Sequence, residues 1–234
     1  MISIIIPYFN NWDLTYERLG EIHKHLVGDF EVILVNDAST DIDCRSGAGW
    51  WMKYVDRFQV RYVENRENLG FGASHNKGAK KASGDILVFL SNDVVISGNF
   101  LPQIEAFIKH YKGKVIIGGE VLGYDTGWNT LLLNGKPSIV PYPVGWLIAV
   151  TRKMWTHIGG WDVRTYGKFD YEDVDLGAWS VYNDIPLVGL YTKALKHLSG
   201  QTINKLFPDR EKYTIKNRAA FRAKWTNLLE EKFQ

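Results

Sequence analysis

The chain has 234 residues, 45% of them hydrophobic and 23% charged, with a formal net charge of +2. That length and balance suit one compact domain with a full core, and they exclude a disordered chain. The single cysteine, Cys44, excludes an intrachain disulfide and favours a reducing, cytoplasmic setting.

Met1 leads directly into Ile2-Ser3-Ile4-Ile5-Ile6-Pro7. The run is too short for a secretory signal and lacks its basic start. It reads as a buried parallel strand ended by Pro7, with Tyr8-Phe9-Asn10 beyond it. Asp13 is placed to cap a helix through about Val27, with Leu14, Leu19, Ile22 and Leu26 at helical spacing. Phe30 to Val35 is a second strand, closed by Asn36-Asp37-Ala38-Ser39-Thr40-Asp41. Asp37 suits two readings: an acceptor for a base N–H or ribose hydroxyl, or a turn and helix cap. Residues 45 to 58, with Gly47-Ala48-Gly49-Trp50-Trp51, fit no element.

Val60 to Val63 is a third strand, followed by a glycine-punctuated loop and a helix over about Phe71 to Ala82. The glycines let backbone approach a ligand, although neither a Walker loop nor Gly-x-Gly-x-x-Gly is present. Ile86 to Leu90 is a fourth strand, stopped by Ser91-Asn92-Asp93. A carboxylate there suits Mg²⁺ or Mn²⁺, or caps the next helix. Strand and helix alternating through short connections imply a mostly parallel sheet flanked by helices. Ligands gather at the carboxyl ends of such strands, where all three polar clusters fall.

The second half is less regular: a helix over Phe100 to Tyr111, a strand over Val115 to Ile117, and an apolar run over Val144 to Val150. The uncharged stretch Pro137 to Thr151 is broken by Pro141 and Pro143 and cannot cross a bilayer, which leaves only peripheral membrane contact. Arg152 opens a short helix that Gly159-Gly160 ends. Asp170-Tyr171-Glu172-Asp173-Val174-Asp175 places four acids in six positions, crowding that a metal, a helix N-terminus or a proton must relieve. With a helix from Asp173 to Tyr182, Glu172 and Asp173 point into the cleft while Asp175 faces elsewhere. Short strands follow at Ile185 to Leu190 and Leu195 to Leu198, and a basic helix over about Asp209 to Glu231 ends the chain. From Lys205 onward eight Lys/Arg stand against four Asp/Glu, a net of +4. This suits either an anionic acceptor or a solvated face packed by Phe221, Trp225 and Leu228.

In order along residues 2 to 200, these clusters resemble the inverting glycosyltransferases of family two, which have the GT-A (Rossmann-like) fold. The matching segments are Pro7-Tyr8, Val35 to Asp41, Asn68-Leu69-Gly70 through Asn76-Lys77-Gly78, Leu90 to Asp93, Gly159 to Asp162 and Tyr171 to Leu176. The resemblance implies that Pro7, Tyr8, Asn10 and Asp37 bind the nucleoside of a nucleotide-sugar donor, expected to be UDP-linked, in a pocket shaped by Asn68 and Asn76. Asn92 and Asp93 meet the diphosphate, and Asp93 with His197 holds Mn²⁺ or Mg²⁺. Gly145 and Trp146 line the sugar pocket, Glu172 orients donor or acceptor, and Asp173 is the general base. Asn36 replaces the first acid of the usual pair, and the metal motif keeps one carboxylate.

The implied organisation is a transferase domain over 1–200, with a nucleotide half to about 95 and an acceptor half after it. A helical extension over 201–234 packs on the same domain. The acceptor is a glycan, a lipid-linked sugar or a hydroxylated DNA base. A nucleotidyltransferase would need a Gly-rich, cationic loop where Tyr8 to Trp12 stands. A non-catalytic binding module would have no use for Glu172-Asp173 beside Asp93.

Overall fold

The computed structural model describes residues 1–41, 43, 57–198 and 210–234. Cys44, the Gly-Trp segment at 47–51 and the start of the tail at Lys205 lie outside the described residues. A seven-stranded sheet forms the core, ordered β12-β6-β11-β4-β1-β2-β3. Its parallel half is β1 (Ile2–Tyr8), β2 (Phe30–Asn36), β3 (Gln59–Glu64) and β4 (Ile86–Leu90). Beyond β4, β11 (Leu147–Thr151) runs antiparallel to both of its neighbours, β4 and β6 (Ile116–Gly118), and β12 (Leu187–Gly189) pairs parallel to β6.

The strands read as unbroken apolar runs because both faces are covered. On one face Ile4, Ile6, Leu34, Val88 and Leu90 pack with α1 (Trp12–His25) and α3 (Leu101–His110). On the other, Ile5, Ile33, Val35, Leu87 and Phe89 pack with α2 (Phe71–Lys81) and α4 (Arg152–Ile158). Strand β1 continues through Pro7 to Tyr8, two residues beyond the expected stop. Ile2 donates its N–H toward the β2 side, so by alternation position 7 faces β4, whose pairing with β1 ends at Ile5. The missing proline N–H therefore breaks no ladder bond.

Helix α1 corrects the cap assigned to Asp13. Asn10 and Asn11 both take left-handed conformations (φ 53° and 52°), and the helix begins at Trp12 with no side-chain cap. Asp13 lies in its first turn, where a carboxylate still complements the helix dipole. The apolar run over 144–150 becomes strand only from Leu147. β10 (Tyr142–Pro143) pairs with β7 (Val121–Leu122), and the chain turns at 144–146 before β11. Between β7 and β10 stands an antiparallel hairpin, β8 (Thr130–Leu133) with β9 (Lys136–Ile139).

After α5 (Val163–Tyr166) and α6 (Glu172–Tyr182), β13 (Leu195–His197) pairs antiparallel with β5 (Val94–Ile96). The terminal helix α7 (Arg210–Lys232) buries Phe221, Trp225 and Leu229 against Leu131, Tyr166, Tyr171 and Val174, making a third core cluster. Among the described residues, no helix is long and apolar enough to cross a membrane.

Candidate active site

The carboxyl ends of β1, β2 and β4 open into a cleft of about 470 Å³ that reaches across to the start of α6. Pro7, Tyr8, Asp37, Asn68, Asn92, Asp93, Gly145, Trp146, Glu172, Asp173 and His197 all line it. Asn10 and Asn76 do not. The Asn10 amide oxygen accepts from the Thr40 and Asp41 N–H groups, tying the ends of β1 and β2 together. Asn76 exchanges two bonds with the backbone of Trp161, both 2.9 Å, fastening α2 to the loop before α5. The Asn10 oxygen and both ends of the Asn76 amide are thus bonded to groups of the chain itself.

Asp37 is 4% exposed and has a structural task. Its carboxylate accepts from Asn65 Nδ2 (2.7 Å), Leu69 N (2.8 Å) and Gly70 N (2.9 Å), so it builds the Asn68–Gly70 loop while facing the cleft. An ionised carboxylate has about four lone-pair sites, so one more donor can be accepted. Asn68 Oδ1 is buried and has no partner among the described residues, an acceptor suited to a ligand N–H. Gly70 has φ 87°, and a Cβ there would lie 2.5 Å from the Lys168 carbonyl oxygen. Only glycine permits this contact between the nucleotide-side loop and the chain entering α6.

Asp93 and His197 meet through sheet register. β5 starts directly after Asp93 and β13 ends at His197, with His197 opposite Val94 and Leu198 N–H bonded to the Asp93 carbonyl. His197 Nε2 lies 3.3 Å from Asp93 Oδ1, and Ser91 Oγ donates to the same carboxylate. Trp146 stacks on the His197 ring at 5.6 Å and 16°, fixing its plane. No group of three or more His, Cys, Asp or Glu arranged to hold a metal occurs among the described residues. A carboxylate and an imidazole converging on one wall fit a divalent cation that takes its remaining ligands from water and phosphate. Asn92 is anchored away from this pair, its amide donating to Thr15 Oγ1 on α1.

Across the cleft, Asp173 accepts from Gly145 N (3.0 Å) and Val174 N (2.8 Å). Burial pushes its carboxyl up to about 6, with those two N–H groups opposing the rise. Burial and then the Asp173 charge push Glu172 up to about 8. Near neutrality one carboxyl is thus charged and its neighbour protonated, a division of labour for paired acids. Asp175 turns away, accepting from Tyr166 OH and Trp225 Nε1, with Lys224 beside it.

A stability effect follows from Glu172. Its carboxyl lies above the ordinary 4.5, so the folded chain holds the proton more tightly than the unfolded one. The resulting stability is complete below about pH 4.5 and is lost as pH rises through about 8. Glu172→Gln is expected to match the wild-type Tm near pH 4.5 and to exceed it above pH 8. The gain should be at least about 2–4 °C, the shift that 1 kcal/mol gives a chain of this size. Thermal melts across pH decide it, and equal Tm values at the alkaline end count against the assignment.

Sequence reasoning missed Trp128, Tyr142 and Arg210, which line the far end of the cleft together with Phe169 and Asp170 of the acidic segment. Trp128 is presented by a turn knitted by Asp125 and Asn129, and its ring stacks on Tyr171 at 5.5 Å. Arg210 forms a two-pronged pair with Asp170. The four crowded acids were the available signal: such a cluster needs cations, and the basic tail holds them.

Comparison with known proteins gives the family and the fold. The family described as Glycosyl transferase family 2 matches residues 3–155. Validoxylamine A glucosyltransferase of Streptomyces hygroscopicus subsp. jinggangensis is 29% identical over 129 residues, 53% of this chain and 29% of that protein. The chain thus spans less than a third of that relative's length. The mannosyltransferase PcManGT from Pyrobaculum calidifontis, solved with GDP-Man and Mn²⁺, superposes with a TM-score of 0.69 at 15% identity, covering 98% of this chain and 68% of that one. S. aureus TarS 1-349 in complex with UDP-GlcNAc gives 0.62 at 19% identity, covering 83% and 57%. These likenesses show the fold, which is GT-A with a mostly parallel sheet and a C-terminal helix.

Proposed function

This chain belongs to glycosyl transferase family 2, and from that premise we propose that it moves a sugar from a nucleoside diphosphate to an acceptor hydroxyl, inverting the anomeric carbon. The observation that carries the proposal is that Asp93 and Asp173, from distant parts of the chain, face one cleft. Pro7, Tyr8, Asp37 and Asn68 form the nucleoside end, with uridine the favoured base. Gly145 and Trp146 border the transferred sugar. Asp93 and His197 are the residues to hold Mn²⁺ or Mg²⁺; once bound, the ion neutralises charge developing on the leaving diphosphate.

The chain's own part is proton handling and placement. Asp173, ionised above about pH 6, takes the proton of the attacking hydroxyl as the new C–O bond forms and the anomeric bond to diphosphate breaks. Its two backbone donors hold the carboxylate toward the cleft. Glu172, protonated near neutrality, donates a hydrogen bond that orients a sugar hydroxyl. One displacement with one base leaves the anomeric configuration inverted.

The acceptor end favours a carbohydrate ring. Trp128 and Tyr142 supply flat apolar faces with polar edges, and Phe169 adds an apolar one. Part of the tail's positive charge is engaged inside the molecule: Arg210 pairs with Asp170, Lys224 with Asp162 and Lys232 with Asp184, and Arg218 donates to Tyr171 OH.

Incubation with UDP-, GDP- and dTDP-hexoses, with and without Mn²⁺, tests the reading. Expected is cation-dependent release of one nucleoside diphosphate, accelerated by neutral oligosaccharides and not by duplex DNA carrying a hydroxymethylated base. Silence with every donor removes the donor-site assignment; acceleration by DNA alone removes the carbohydrate acceptor.

A further inference from the structure

Two consecutive non-glycine residues before the catalytic carboxylates are left-handed: Asp170 at φ 62° and Tyr171 at φ 76°. Side chains disfavour that region, so such a pair persists only where the surroundings hold it. Tyr171 is fully buried and stands at the N-terminal boundary of α6, so its conformation sets where Glu172 and Asp173 begin the helix.

What holds the pair is one stripe of α7. Arg210, Thr214, Asn217 and Arg218 recur at helical spacing on the side facing this loop. Arg210 Nε donates to both oxygens of Asp170, and Thr214 Oγ1 adds a 2.6 Å bond to the same carboxylate. Arg218 Nε donates to Tyr171 OH at 2.9 Å. Asn217, 2% exposed, directs its amide N–H₂ at three backbone carbonyls together: Tyr166 (2.8 Å), Phe169 (2.5 Å) and Asp170 (3.2 Å). Carbonyls that converge in this way are turned inward by the left-handed residues, and without a shared donor they would be buried and unsatisfied.

We propose that α7 is the positioning element for the reaction carboxylates, and that Asn217 is its central positioning residue, fixing Asp170-Tyr171 so that Glu172 and Asp173 enter the cleft. The inference rests on the glycosyltransferase reading for its kinetic readout, and its structural readout is independent of that reading. It also gives the tail a task that its basic composition alone does not reveal. Around Asp173 the titratable and charged groups are Glu172, Asp170, Arg210 and Tyr142, so release of the loop changes how water reaches a carboxyl now raised by burial.

Asn217→Ala is the principal variant, and Thr214→Val is a milder one that keeps side-chain shape. Donor KM is expected to stay within about twofold while kcat falls about 10–10²-fold, the scale on which a 1 Å misplacement acts. The acid limb of the pH–rate profile is expected to move to lower pH as Asp173 becomes hydrated. A merely structural role would lower Tm and leave both kcat per folded molecule and the acid limb in place; that result overturns the proposal. Should the wild type turn over no donor, the glycosyltransferase reading fails separately, and pH-dependent melts decide the positioning role. The loss of Tm between pH 5 and pH 8 expected of the wild type should shrink in Asn217→Ala, and an unchanged dependence overturns the proposal.

Discussion

Asp173→Asn is expected to lower transfer by about 10²–10⁴-fold, the usual contribution of a positioned base, while donor affinity stays near the wild-type value. The asparagine keeps one acceptor oxygen, enough for either the Gly145 or the Val174 N–H, while its N–H₂ faces the other donor, so one of the two bonds that now hold the carboxylate is lost. What also disappears is the ability to take a proton. In the wild type the rate should rise with pH through about 6, because burial holds the Asp173 carboxyl there. The residual rate of Asp173→Asn should lack that limb. Donor affinity by calorimetry and initial rates across pH supply both readings. Undiminished transfer by the variant would move the base to another residue, and Glu172 is disfavoured because its proton is retained to about pH 8.

Asp93→Ala is the second large effect. The Asp93 carboxylate and His197 imidazole are 3.3 Å apart and are the protein groups assigned to the cation, so loss of the charged partner leaves one neutral ligand. A loss of about 10²–10³-fold at saturating donor is expected, the scale seen when one electrostatic stabiliser is removed. His197→Ala should be milder, about 10–10²-fold in metal affinity, and partly restored by excess Mn²⁺. Titrating activity with Mn²⁺ for each variant separates weakened binding from lost chemistry. If stripping divalent ions with a chelator leaves the wild-type rate unchanged, the metal assignment fails for both residues.

Much of this site could be read along the chain because a doubly covered parallel sheet has a plain sequence form. The ends of β1, β2 and β4 follow from unbroken apolar runs interrupted by polar residues, and those ends converge for topological reasons. Asp37 and Asp93 are therefore legible as cleft residues. His197 is different: a β5–β13 pairing joins it to Asp93 across about a hundred positions, and no local pattern encodes such a partner. Asn10 and Asn76 show the converse case. An amide near a ligand-binding end looks the same in sequence whether it meets a nucleoside or clasps Thr40 or Trp161.

The far end of the cleft was hidden for another reason. β7 to β10 are strands of two to four residues, too short to show alternation, so Trp128 and Tyr142 looked like residues in an irregular stretch. The tail was legible as a helix packed on the domain through Phe221 and Trp225, but its ion-pair partners were not legible. Its charge suggested an external anion, whereas Asp162, Asp170, Asp175 and Asp184 of the same chain receive Lys224, Arg210 and Lys232. Opposite charges far apart in sequence reveal their match only when packing brings them together.

The reversed direction of β11 has an architectural consequence. Because β6 leaves the sheet at the reactive edge and β11 re-enters at that same edge, the 28 residues between Gly118 and Leu147 make a round trip over the cleft without crossing the core. Length and composition in this excursion can change while the nucleotide-facing strands keep their pairing. Grafting alternative versions of the stretch between β7 and β10 is thus a route to new acceptor preference that leaves Gly145, Trp146 and the donor-side residues in place.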